Sequence, residues 1–201
     1  MKEWQTGAAG VLAMAFALGA CSDDITQPVD QTFAFAFDSG LEAWSANATD
    51  TDNPPVTWSI DHTMDMGNDD DGAVELTLDN LNDAGKIWVE REFDSLEPNT
   101  TYEVTVSFAF ATEDYGTINL WRIIAGVTTD APGDADDLEF QGETGNGEDE
   151  DVGYQWLDKT YTFTAETDAA GELWVSVGIW GTFEVVRTYF VDDLQVRFER
   201  L

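Results

Sequence analysis

The chain has 201 residues, 41 of them acidic and eight basic, which gives a formal charge of −33. An electrostatic field of that sign repels phosphate groups, so nucleic acids and anionic lipid head groups are excluded as partners. Aromatic residues make up 12% of the chain and hydrophobic residues 43%, which favours a folded domain over a disordered acidic chain. The acidic excess therefore predicts a solvating surface, as in halophilic proteins from high-salt habitats.

The first segment is an apolar run from Ala8 to Leu18, followed by small residues before Cys21. The run is too short to cross a bilayer as a helix and is typical of a signal peptide. The tetrad Leu18-Gly19-Ala20-Cys21 resembles the lipobox of bacterial lipoproteins, in which the cysteine receives the lipid. We therefore expect residues 1–20 to be removed as a lipoprotein signal peptide and Cys21, the sole cysteine, to be lipidated. Contact with a membrane is expected through this lipid anchor only.

Residues 21–31 are polar, contain a proline and show no periodicity, which predicts an acidic tether between lipid and domain. Ser22 does not resemble the aspartate that retains lipoproteins at the inner membrane, so the outer membrane is the expected location. The run Cys21-Ser22-Asp23-Asp24 resembles acidic surface-export signals of Bacteroidetes lipoproteins. It is equally well explained as more acid in an acidic protein, so periplasmic and outward orientations both remain open.

Residues 32–201 alternate between apolar and polar side chains, which is typical of β-strands with one buried face. Phe33, Phe35 and Phe37 mark the first predicted strand. Further predicted strands are 56–60, 73–79, 86–93, 101–111, 117–125, 155–164, 172–180 and 187–198. The glycine-rich acidic stretch 130–153 is predicted to be a long loop. About nine strands separated by turn residues predict an all-β domain, an antiparallel β-sandwich of the jelly-roll type.

Three motifs resemble known families. The segments 37–44 (Phe-Asp-Ser-Gly-Leu-Glu-Ala-Trp) and 189–196 (Tyr-Phe-Val-Asp-Asp-Leu-Gln-Val) resemble the first and last strands of carbohydrate-binding-module jelly rolls with a galactose-binding-like fold. Segment 96–104 is similar to the L-x-P-N-T-x-Y-x-V motif of those modules. Over about 37–198 the chain also resembles a group of uncharacterised secreted bacterial proteins, through 167–175 and 181–184. The resemblance implies the fold and leaves the function open.

A structural calcium often ties the first strand to the last in the modules resembled. Asp38 and Asp192 match those positions, so the resemblance implies them as calcium ligands, and calcium prefers such oxygen donors. The alternative is that both belong to the acidic surface. The segment Asp65–Gly72 does not fit the calcium loop of helix-loop-helix proteins, because it places glycine at the first ligand position.

Four tryptophans alternate with aliphatic neighbours: Trp88, Trp121, Trp174 and Trp180. If the aliphatic face is the core, the indoles lie on the outer surface of a sheet, where a sugar ring can stack on them. The alternative is that both faces are covered and the tryptophans are core residues.

Catalysis finds little support in the sequence. His62 is the sole histidine and is predicted to lie at the surface end of a strand, and no Gly-x-Ser-x-Gly motif occurs. Acidic residues are too numerous for any carboxylate pair to be singled out. The predicted function is therefore non-catalytic binding of an extracellular ligand, a glycan, by a lipid-anchored β-sandwich. The alternative is a structural or assembly lipoprotein that docks on another envelope protein.

Overall fold

The computed structural model describes residues 30–52, 55–68, 72–79, 84–112, 121–133, 138, 140–143, 153–181 and 186–201; for residues 112, 121, 140–143 and 181 it describes only the backbone. Within these ranges the chain forms eleven β-strands and no helix, so the described residues include no helix able to span a membrane. The strands are β1 (Gln31–Phe35), β2 (Ser45–Thr49), β3 (Thr57–Thr63), β4 (Ala73–Asp79), β5 (Lys86–Phe93), β6 (Thr101–Thr112), β7 (Trp121–Thr128), β8 (Phe140–Glu143), β9 (Gln155–Glu166), β10 (Leu173–Gly181) and β11 (Val186–Arg200).

Six strands form one antiparallel sheet in the order β3-β4-β11-β6-β9, with β1 also paired to β11. The long strand β11 has two partners along one edge, since residues 186–191 pair with β4 and residues 194–198 pair with β1. Its pairing with β6 shifts register between Asp192 and Gln195, and Asp193 adopts a left-handed backbone with φ 48°. This β-bulge lies where β11 changes partner, and it places Asp192 at the junction of the first, fourth and last strands.

The other five strands form the second antiparallel sheet, in the order β2-β5-β10-β7-β8. Strand β10 lies at its centre between β5 and β7. Trp180 is therefore directly opposite Lys86 on one side and Arg122 on the other. Gly178 is likewise opposite Trp88 on β5 and Ile124 on β7.

The inner faces of the two sheets enclose one core. Strand β10 contributes alternate residues to it, as do β5 and β6: Leu173, Val175, Val177, Ile179, Ile87, Val89, Val104, Val106, Phe108 and Phe110. Rings from both sheets meet at one end, where the Phe33 centroid lies 5.0 Å from that of Phe93, and the Phe93 centroid lies 5.2 Å from that of Phe198. Burial of alternate residues from two facing sheets is what holds a sandwich together.

The predicted jelly-roll sandwich is confirmed, because two antiparallel sheets pack face to face across this core. The predicted strands 73–79 and 86–93 agree with β4 and β5 residue for residue. Two strands were missed, β2 and β8. Strand β8 falls inside the stretch 130–153, so the prediction of a continuous loop there is wrong.

The first strand also ends two residues earlier than the sequence predicts. Strand β1 stops at Phe35, and Phe37 follows it in a left-handed conformation with φ 52° while its side chain remains fully buried. The predicted signal peptide, Cys21 and most of the tether lie outside the described residues.

Candidate functional site

The outer face of the five-stranded sheet carries three of the four tryptophans that alternation singled out. The aliphatic residues of β10 point into the core, so Trp174, Ser176, Gly178 and Trp180 point outward. Trp174 and Trp180 are both half-buried. Six residues of extended chain separate them by about 20 Å.

Trp88 shares this face but is fully buried, with an exposed fraction of 0%. Its ring packs with Ile124 and Leu138, and its Nε1 donates a hydrogen bond of 2.6 Å to Oε2 of Glu90. A Cβ at Gly178 would lie 2.5 Å from the Cα and Cβ of Trp88, so β10 needs glycine opposite this residue. The prediction that Trp88 offers an exposed stacking ring is therefore wrong.

The burial of Trp88 comes from the chain that follows β7, which we call the crossing segment (residues 129–133 and 138). At the edge of the outer face formed by β2, the carbonyl of Pro132 accepts a hydrogen bond of 3.4 Å from the side chain of Asn47. Over β7 on the same face, Leu138 covers Gly126, and a Cβ added at Gly126 would lie 2.9 Å from Cδ2 of Leu138. The segment thus covers the middle of the face and separates Trp174 from Trp180.

Trp180 lies between two basic side chains. The Nζ of Lys86 is 5.7 Å from the Trp180 ring centroid, and the Cζ of Arg122 is 5.6 Å from it, both within cation–π range. Lys86 is itself buried and forms an ion pair of 3.3 Å with Asp50. The ring of Trp180 therefore already contacts the cations of its own sheet. The side chain of Trp121 lies outside the described residues.

Trp174 lies in an open depression of about 340 Å³ at the other end of the face. The depression is lined by Ala43, Ser45, Glu90, Arg91, Glu92, Asp94 and Trp174. The guanidinium of Arg91 is engaged elsewhere, since it donates to the carbonyl of Glu42 and its Cζ lies 4.6 Å from the Phe35 ring centroid. An aromatic ring beside carboxylates and a serine hydroxyl is thus the chemistry that this depression offers.

Two paired turns position Trp174. Gly171 precedes β10 with φ 87°, and a Cβ there would lie 2.3 Å from the carbonyl oxygen of Leu96. The Leu96 amide donates to the carbonyl of Gly171, and the Asn99 amide donates to that of Asp168. The turn at residues 96–99 and the turn at residues 168–171 therefore pack against each other and set the start of β10.

Some solved structures are weakly similar to this chain. No protein-family model matches the chain, and no curated protein matches it. Among solved structures, the chain is similar to the K1 cleaved adhesin domain of Lys-gingipain from Porphyromonas gingivalis, at 13% identity, 84% coverage of this chain, 98% of that chain and a TM-score of 0.49. It is also similar to the CBM22-1 xylan-binding domain of Xyn10C from Paenibacillus barcinonensis, at 13% identity, 83% and 92% coverage and a TM-score of 0.49. At these values the likeness does not bear on what this chain binds.

A second candidate site surrounds the bulge of β11. The carboxylate of Asp192 is buried, with an exposed fraction of 2%. Its Oδ2 accepts a hydrogen bond of 2.8 Å from the Asn68 amide, and its Oδ1 accepts one of 2.7 Å from the Asp193 amide. Burial raises the pKa of Asp192, and the charges of Asp193 and Asp38 raise it further, against those two hydrogen bonds. No basic side chain among the described residues forms an ion pair with Asp192.

The described residues supply part of a calcium coordination shell. The buried Asp192 carboxylate and the side-chain carbonyl of Asn68 are hard oxygen donors, and a cation beside Asp192 would offset the desolvation that raises its pKa. Among the described residues, no three acidic, histidine or cysteine side chains group closely enough to form a metal site by themselves. Backbone or amide oxygens would therefore have to complete the coordination. Residues 69–71 lie outside the described part of the chain.

His62 is placed differently from the expectation. It belongs to the end of β3, as predicted, but it is half-buried, and its Nε2 lies 2.6 Å from the carbonyl oxygen of Phe37. Gly72 packs against the same carbonyl, because a Cβ there would lie 2.2 Å from it. The sole histidine thus ties the turn after β1 to the strand pair β3–β4, which is a structural role.

Proposed function

We propose that this protein is a non-catalytic carbohydrate-binding domain, held at the outer membrane by a lipid on Cys21, with Trp174 as the aromatic residue that stacks on the sugar. The observation that carries the proposal is the half-buried indole of Trp174 in an open depression lined by polar side chains. Sugar rings present C–H groups on their faces and hydroxyls on their edges. An indole beside carboxylate and hydroxyl groups matches both.

The depression suits an extended ligand better than a small enclosed one. It is open to solvent and lies at the end of a sheet face whose middle is covered by the crossing segment. A glycan chain can pass over Trp174 without threading into the protein. Stacking on one sheet-borne indole fixes a sugar at little entropic cost, because β10 is at the centre of its sheet.

Affinity electrophoresis of the full chain tests this proposal. We expect retardation in gels that contain at least one polysaccharide from a set spanning neutral, acidic and amino-sugar polymers, run at low and at high salt. Unchanged mobility in every gel would overturn the proposal. A stable envelope protein that co-purifies in that case would instead favour the docking alternative.

We also propose that calcium binds at Asp38 and Asp192 and stabilises the junction of β1 and β11. An ion bound only to the native state raises the free energy of unfolding in proportion to the logarithm of its concentration. For the millimolar to submillimolar affinities typical of extracellular modules, about 10 mM calcium should raise Tm by about 3 to 10 °C. Asp38→Ala should abolish that shift, whereas the exposed Asp158→Ala on β9 should retain it.

The calcium effect should also depend on pH. Burial raises the pKa of Asp192 in the folded state, so the protonated carboxyl group favours folding. This contribution to stability is fully present at pH values below the pKa of Asp192 in the unfolded chain. It is lost as pH rises through the pKa of Asp192 in the folded protein. Calcium favours the carboxylate, so its stabilising effect should be larger at pH 7 than near pH 4. Differential scanning calorimetry across this range, with magnesium as the control ion, measures it; a Tm unaffected by calcium at pH 7 contradicts the site.

A further inference from the structure

The depression around Trp174 contains a buried negative charge. Glu90 has an exposed fraction of 8%, and its carboxylate is held by the indole of Trp88 and, at 3.4 Å, by the amide of Asn47. Both donors are neutral. No basic side chain of the described residues forms an ion pair with Glu90. A buried carboxylate without a counter-charge is costly, which makes a cation the partner that this position lacks.

The next outward residue of β10 after Trp174 adds an unused donor. Ser176 lies directly opposite Glu90 across the β5–β10 pair, and its exposed fraction is 0%. Among the described residues its Oγ has no hydrogen-bond partner. Buried hydroxyls normally find partners, so this hydroxyl is an unused donor directly beside Glu90 on the same face of the sheet.

The surroundings of Trp174 reinforce the negative field. Glu92 and Asp94 line the same depression, and Glu172 lies two residues before Trp174 in the sequence. Desolvation raises the pKa of Glu172, and the charges of Glu92 and Asp168 and the hydrogen bond that protonated Glu172 donates to Glu92 raise it further. The one basic residue of the depression, Arg91, is committed to Glu42 and Phe35.

From this geometry we infer that the Trp174 depression selects glycans that carry protonated amines, namely polymers of unacetylated amino sugars. The inference rests on the proposed function and specifies its ligand class. The sugar ring stacks on the indole, while its ammonium group lies between the ring and the carboxylates of Glu90 and Glu92. Uronic acids and sulfated sugars are repelled by the same carboxylates, and neutral sugars gain the stacking contact only.

Calorimetric titration of the full chain with three soluble hexamers tests the inference at mildly acidic pH: glucosamine, N-acetylglucosamine and glucose in β-1,4 linkage. The glucosamine hexamer should bind at least about tenfold more tightly than the other two. Raising NaCl from about 0.05 M to about 1 M should reduce that preference, because the Debye length falls to about 3 Å. Glu92→Gln, an exposed and isosteric change, should weaken binding of the glucosamine hexamer by about fivefold or more.

The matched control is Glu166→Gln on β9, which removes one charge from the other sheet and should leave the preference unchanged. Equal affinity for the acetylated and unacetylated hexamers, with Glu92→Gln without effect, overturns the amine inference and leaves glycan binding standing. Absence of binding to all three hexamers, together with unchanged mobility in every polysaccharide gel, overturns both.

Discussion

Trp174→Ala should eliminate retention of the protein in polysaccharide gels while leaving the fold intact. The substitution removes the aromatic face of the depression, and loss of a central aromatic contact typically costs 2 kcal/mol or more of binding, which is about thirtyfold or more in affinity. Since the indole is only half-buried, we expect stability to fall by only about 1–2 kcal/mol, less than for a core tryptophan. Mobility in loaded gels and Tm, measured on one preparation, separate the two effects.

The chain contains a suitable control for the loss of an indole. Trp58 lies on the edge strand β3 of the other sheet and is 37% exposed. Trp58→Ala should bind glycan like the wild type. If Trp174→Ala binds normally, or if Trp58→Ala loses binding equally, the stacking site has been placed on the wrong face of the molecule.

Alternation was sufficient to predict the strands that form the centre of each sheet. In β6, every second residue from Tyr102 to Phe110 is apolar and buried, so a period of two is plain in the sequence. Strand β2 reads Ser-Ala-Asn-Ala-Thr, and its inward residue Ala48 is too small to produce such a pattern. That strand is defined by its hydrogen-bonded pairing with β5, a long-range interaction that composition within five residues does not encode.

Alternation also assigned three of the four tryptophans to the correct face but could not decide their exposure. Trp88, Trp174 and Trp180 all lie opposite the core, as their aliphatic neighbours indicate. Whether each ring is exposed to solvent depends on the crossing segment. This segment falls almost entirely in the stretch that the sequence predicts to be a loop, and it is distant in sequence from all three tryptophans. Leu138 buries Trp88, while Trp174 remains beside the open depression.

The hydrogen-bonded cluster of Trp88, Asn47 and Glu90 was likewise not predictable from the chain. Glu90 follows Trp88 by two residues, so the strand period places both on one face. Nothing in that spacing distinguishes a solvated glutamate from a buried one. The burial arises because Asn47 and Pro132 meet over the sheet, joining β2 to the chain after β7.

Trp88→Ala should destabilise the protein far more than Trp58→Ala does. Removing a fully buried indole costs about 3–5 kcal/mol through lost contacts and the cavity that remains. For a domain of this size that lowers Tm by about 6 to 20 °C. Chemical denaturation of Trp88→Ala and Trp58→Ala in parallel measures the difference, and equal midpoints would show that the ring at position 88 is not buried.

The hydrogen bond from Trp88 to Glu90 can be separated from this packing. Trp88→Phe preserves most of the ring volume but removes the N–H donor, leaving a buried carboxylate with only the 3.4 Å contacts from Asn47. We expect that change to cost about 1–3 kcal/mol beyond the smaller ring. In the background Glu90→Gln the same change should cost less, because a neutral amide needs the donor less than a carboxylate does. A double-mutant cycle in urea measures this coupling; additive costs would mean that the indole does not stabilise the charge of Glu90.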